Sequence, residues 1–181
     1  MTNDDSTRIR AWLRGRLPTD WFLEPAEVTL DRDEILIVGR IDEPPTEPVS
    51  DDADTDNAAR STAQQGRIRH FREDTRARRI QIARELEHHT GRRVSWGVRC
   101  GDTTELFTTA SIPVMTRLRQ PERRVLDTLV DAGVARSRSD ALAWCVRLTG
   151  QHNEQWLTDL REALTHVEDV RRTGPRPPDT P

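Results

Sequence analysis

The apolar residues between Ser111 and Gly150 change their period once, and that change limits what this stretch can become. Ile112, Val114 and Leu118 alternate with Pro113, Met115 and Arg117, the period-two pattern of a strand with one face toward a core. A polar stretch follows, with Pro121 at a first helical turn, where its missing N–H has no partner to lose. Val125, Leu126, Leu129 and Val130 then form a stripe at helical spacing, and Gly133 supplies a stop. Ser137 and Asp140, three places apart, have the form of a capping box with Asp in place of the usual Glu, so a second helix opens there. Its Ala141-Leu142-Ala143-Trp144-Cys145-Val146-Arg147-Leu148 is apolar on most sides. Such a girdle needs more than one neighbour to bury it, and a second copy of the chain is the natural supplier.

A strand ending in Arg117-Leu118, a helix reading Leu126-Asp127-Thr128-Leu129-Val130-Asp131-Ala132-Gly133, and Ser137-Arg138-Ser139-Asp140-Ala141-Leu142 opening a second helix together resemble the ribbon-helix-helix family of DNA-binding proteins. The resemblance covers residues 111–150 and is most specific from Leu126 to Leu142. It implies a homodimer in which two strands pair antiparallel and enter the major groove, with alternate side chains facing the bases. On that reading Pro113, Met115 and Arg117 face the groove, and Arg119 follows at the strand end. Ser137, Arg138 and Ser139 anchor a phosphate at the helix N-terminus. Arg117 is the base reader of choice, since a guanidinium can contact guanine bidentately. The departure is at Pro113 and Met115, where family strands carry polar residues; these two can touch a thymine methyl but cannot hydrogen-bond a base.

Upstream, Ile9, Trp12 and Leu13 share a helical face behind Ser6 and Thr7, in a helix that ends before Pro18. Two β-prone runs, 26–30 and 34–41, flank the polar turn Asp31-Arg32-Asp33 and form a hairpin. Residues 43–66 hold three prolines, six acids, one Arg and no aromatic residue, which predicts a disordered acidic insertion. Residues 67–90 read as one long helix with Ile68, Phe71, Thr75, Ile82 and Leu86 on one side and Gly91 at its stop. Arg93 to Cys100 alternates with period two, and Gly101-Asp102 turns it toward Leu106-Phe107-Thr108. The expected fold class is α+β. An N-terminal α-β-β-α-β domain over 1–110 precedes a ribbon-helix-helix unit over 111–172, with an extra helix from Asn153 to Arg171 and a disordered tail over 173–181.

Charge decides which functions remain open. The chain carries −3 overall, yet residues 67–110 hold ten Arg against six acids, and 111–150 hold seven against four, while the flanks are acidic. All 28 basic residues are Arg. Arg69, Arg72, Arg76 and Arg79 are candidates for a second nucleic-acid surface, although the interleaved Glu73 and Asp74 can equally pair with such arginines on a solvated face. Of five tryptophans, four sit where a core is expected, and Trp21 is the candidate for base stacking. Neither His88-His89 nor the distant Cys100 and Cys145 has metal spacing, and the cysteines read as buried free thiols. There is no Gly-rich phosphate loop, no nucleophile elbow and no arguable acid pair, so no enzyme and no cofactor is expected. The absence of an 18-residue apolar run and of a leader at Met1 points to a cytoplasmic protein without a membrane partner. The expected function is a homodimeric DNA-binding transcriptional regulator whose N-terminal domain adds a protein partner, ligand or second nucleic-acid surface. The alternatives are a protein-interaction adaptor on the same scaffold, or RNA or ribosome association through the helix 67–90.

Overall fold

In the computed structural model, which describes residues 3–45 and 53–173, the first sheet turn is made by Asp31. Its carboxylate Oδ1 accepts from the amides of Asp33 at 2.8 Å and Glu34 at 2.6 Å, an Asx arrangement that reverses the chain. The flanking runs pair antiparallel as β1 (Glu27–Leu30) and β2 (Glu34–Ile41). Ahead of them lies helix α1 (Asn3–Arg16). After β2, helices α2 (Ala53–Asp74) and α3 (Arg76–Thr90) carry the chain to β3 (Arg93–Cys100), which pairs parallel with β2. Strand β4 (Thr103–Leu106) closes the four-stranded sheet in the order β1-β2-β3-β4.

Register brings Ile35, Ile37 and Ile41 beside Val94, Trp96 and Cys100 on one face. Ile9 and Leu13 of α1, Ile68 and Phe71 of α2, and Ile82 and Leu86 of α3 share one core with them. Gly39 lies in the same row because the Phe22 ring sits over it; a Cβ there would come within 2.1 Å of a ring carbon. Trp21, partly buried, packs edge-on against Phe71 at 5.8 Å and Trp96 at 6.2 Å, at the border of this core.

Two expectations fail here for physical reasons. The predicted disordered insertion over 43–66 is helical from Ala53 onward. Composition misleads because this turn is held by means other than apolar burial. Ala53, Ala58, Ala59 and Ala63 favour helix, and Asp54 and Asp56 complement the dipole at its start. Gln64 is buried, taking a 2.6 Å hydrogen bond from Thr103 Oγ1 and giving one of 3.3 Å to Glu43. Residues 46–52 lie outside the described residues, as does the tail from 174. The single helix expected over 67–90 breaks at Thr75, whose hydroxyl donates to Phe71 O at 2.6 Å and accepts from Arg79 Nε at 2.9 Å. Such back-bonding to the preceding turn bends a helix. Gly91, in the left-handed region at φ 68°, ends α3 as expected.

The chain divides into two units, 1–112 and 113–181. The second holds α4 (Gln120–Asp131), α5 (Arg138–His152) and α6 (Glu154–Thr173). Among the described residues the fold is mixed α+β, with a four-stranded sheet and six helices. The strand expected over 112–118 is not formed: these residues join no ladder, and the C-terminal unit is helical among its described residues. A strand exists only with a partner, and the partner this segment was expected to find is its own copy in a second chain. Leu126, Ala135 and Ala141 are the buried residues of this unit, with Leu118, Leu129, Val130, Leu142 and Cys145 packed against them. The girdle of α5 is correspondingly uncovered at Val146 and Leu148, and Trp156, expected in a core, is exposed.

Candidate nucleic-acid interface

The candidate surface begins with residues 113–119, which lie outside helix and sheet and lead into α4. Pro113, Met115, Arg117 and Arg119 are all exposed, Met115 at 97% and its neighbour Val114 at 84%. Arg119 takes the N-cap position in extended backbone without a side-chain cap bond. Arg123, one turn into α4, folds back and donates from Nη1 to Leu118 O at 2.8 Å, fastening the segment to the helix. Arg124 is exposed beside it. Arg117, Arg119, Arg123 and Arg124 therefore form one basic group in eight residues, with Glu122 as its sole acid. Arg123 and Arg124 were missed by motif reasoning, although their density in the charge pattern could have shown them.

The start of α5 is built as its sequence indicates. Ser137 is extended and its Oγ accepts from Asp140 N at 3.2 Å. The reciprocal half of the box shifts by one residue, because Asp140 Oδ2 accepts from Arg136 N at 3.0 Å. Ser139 is exposed in the first turn. Arg138 differs from its expected role: its guanidinium grips Asp127 of α4 with bonds of 2.6 and 2.8 Å. That bidentate pair holds the Asp127 carboxyl below its ordinary range and raises the guanidinium. Arg138 thus ties α4 to α5 through an ion pair that is itself exposed to solvent, beside the exposed Ser139.

The other proposed surface is divided. Arg69 and Arg76 are exposed. Arg72 pairs with Glu105 at 3.3 Å and lies 5.5 Å from the centroid of the Phe107 ring. Arg79 is 6% exposed, donates to Thr75 Oγ1 and Arg72 O, and stacks 4.6 Å from the Phe107 centroid. Burial, with Arg72 and Arg76 nearby, lowers its pKa to about 10. Arg79 is thus held within the N-terminal unit and largely withdrawn from solvent. Cys100 is buried, its thiol pushed up by desolvation, and Cys145 is half-buried. Among the described residues no helix is long and apolar enough to cross a membrane.

Two families match the chain in succession. Residues 7–106 match the Rv1265-like protein N-terminal domain, and residues 119–171 match the Mb1296 C-terminal domain. Uncharacterized protein Mb1296 of Mycobacterium bovis and uncharacterized protein Rv1265 of Mycobacterium tuberculosis are each 50% identical over 171 residues, covering 94% of this chain and 72% of the relative. No solved structure matches.

Proposed function

The chain belongs to the Rv1265-like family, and from that footing we propose that its C-terminal unit is a homodimeric DNA-binding module serving a transcriptional regulator. The observation that carries this reading is an exposed segment outside helix and sheet that runs into the basic group Arg117, Arg119, Arg123 and Arg124. Two copies of residues 112–118, paired antiparallel, form the ribbon of a ribbon-helix-helix dimer and present Arg117 to base edges. Arg119, Arg123 and Arg124 meet phosphates, as does the α5 N-terminus at Ser139. The dimer draws support from apolar surface left open in the same unit. Val125 of α4, Val146 of α5, and Trp156, Leu160, Leu164 and Val167 of α6 are all exposed, an arrangement a soluble monomer rarely keeps.

A mobility-shift titration across salt concentrations tests the reading, because phosphate contacts make affinity fall as salt rises. Arg117→Ala is expected to cost about 1 to 3 kcal/mol and relax preference at one base position. Absence of a shift on any DNA at about 50 mM salt overturns the proposal. The exposure of Val114 and Met115 favours a second reading, an adaptor whose exposed segment binds a protein. There, pull-down partners survive Arg117→Ala and nucleic acid never accompanies the protein. For the RNA-binding alternative through 67–90, Arg69 and Arg76 are exposed, Arg72 shares an exposed ion pair with Glu105, and Arg79 is buried.

A further inference from the structure

The loop between α1 and β1 encloses a cleft of about 420 Å³, inside the range of roughly 300 to 1,000 Å³ typical of small-molecule sites. Leu17 and Phe22 of the loop give it half-buried apolar walls, the buried Leu13 of α1 and Val28 of β1 lie at its floor, and Arg10 and Arg14 of α1 line it as well. The two arginines stand four residues apart, so they are neighbours on one helix face and repel. Among the described residues neither has a carboxylate partner. Arg10 is fixed by a 2.9 Å bond from Nη2 to Val28 O, which holds its charge at the cleft. The next arginine of the helix, Arg16, is different: it is bound to Glu85 by two bonds of 2.6 and 2.7 Å. Two guanidinium groups without a carboxylate partner beside an apolar wall match a molecule with an apolar body and one anionic head.

We propose that this cleft binds a small amphipathic anion, with the head between Arg10 and Arg14 and the body against Leu13, Leu17, Phe22 and Val28. An anion between the arginines relieves their repulsion and gains charge-assisted hydrogen bonds from both. Glu24 also lines the cleft and acts against an anion, so it gives the test a control of opposite sign. The site is independent of the DNA-binding reading, since every residue it uses lies in the N-terminal unit.

The experiment is a calorimetric titration of the full chain with decanoate and with decyl phosphate, which present the same body behind a carboxylate and a phosphate. One saturable site per chain is expected, weakened about tenfold by Arg14→Gln, weakened by added salt and strengthened by Glu24→Gln. Whichever head binds more tightly identifies the head-group class. Nuclear Overhauser contacts from the decanoate chain to the methyls of Leu13, Leu17 and Val28 locate the ligand without any substitution. Equal affinity in wild type and Arg14→Gln overturns the proposal. So do contacts that fall on Leu160, Leu164 and Val167, because they put the ligand on the open face of α6, and so does a titration without heat or saturation for either ligand.

Discussion

The N-terminal unit closes its own core and the C-terminal unit does not. Fifteen buried apolar residues form one cluster in the first, drawn from α1, α2, α3 and three strands, whereas the second counts three among the described residues. The apolar stripes of α4 and α6 are more sharply one-sided than those of α1, α2 and α3, so a want of apolar patterning does not explain the difference. What differs is the supply of partner surfaces. In the first unit α1, α2 and α3 share one core with the sheet, while in the second α4 packs on α5 and α5 on α6. A chain that keeps Leu160, Leu164 and Trp156 in water retains a surface whose burial is worth on the order of 25 cal/mol per Å² once something covers it. The two units thus set a scaffold that buries its own apolar surface beside a module that leaves much of its own uncovered among the described residues.

The largest effect that tests this contrast is at Ile82, fully buried where α3 meets the sheet. Ile82→Ala is expected to cost about 2 to 5 kcal/mol, read by denaturant unfolding of the N-terminal unit, and to be independent of protein concentration. Dilution sharpens the other side. For a dimer, each tenfold dilution removes about 1.4 kcal/mol of apparent stability, so the melting midpoint of the C-terminal unit should fall with concentration while that of the N-terminal unit stays fixed. A C-terminal midpoint that ignores concentration breaks the comparison and removes the ribbon with it.

Local signals were legible in the sequence wherever a residue acts on its own neighbours. The Asp31 turn, the Gly91 stop, Pro121 at the start of α4 and the Ser137 cap are each where the residues place them. Features set by distant groups were not legible. The break at Thr75 depends on Arg79 finding both that hydroxyl and the Phe107 face. The first turns of α2 depend on alanine propensity and on Gln64 meeting Thr103, neither of which an apolar pattern records. The candidate interface divides along the same line. The exposure of Arg117, Arg119 and Ser139 follows from local pattern. The capture of Arg138 by Asp127, eleven positions away, needs the packing of α4 on α5.

The smaller effects probe how firmly that packing sets the interface. Ser137→Ala removes the acceptor for Asp140 N and is expected to cost about 0.5 to 2 kcal/mol, visible as a lower midpoint of the C-terminal unit only. Asp127→Asn acts more weakly, since the ion pair is solvent-exposed and screened by salt. Its pH dependence has a definite sign. Arg138 holds the Asp127 carboxyl below its ordinary value, so the stabilisation is complete above the usual Asp pKa of about 3.9 and fades as pH falls through the lowered folded value. Thermal midpoints of wild type and Asp127→Asn should therefore differ at pH 7 and converge in acid; curves that stay parallel show that the pair contributes nothing to stability. The same substitution releases Arg138 at the first turn of α5. If this guanidinium then turns to a phosphate, Asp127→Asn binds DNA more tightly and with a steeper salt dependence, while an unchanged slope confines Arg138 to joining the two helices.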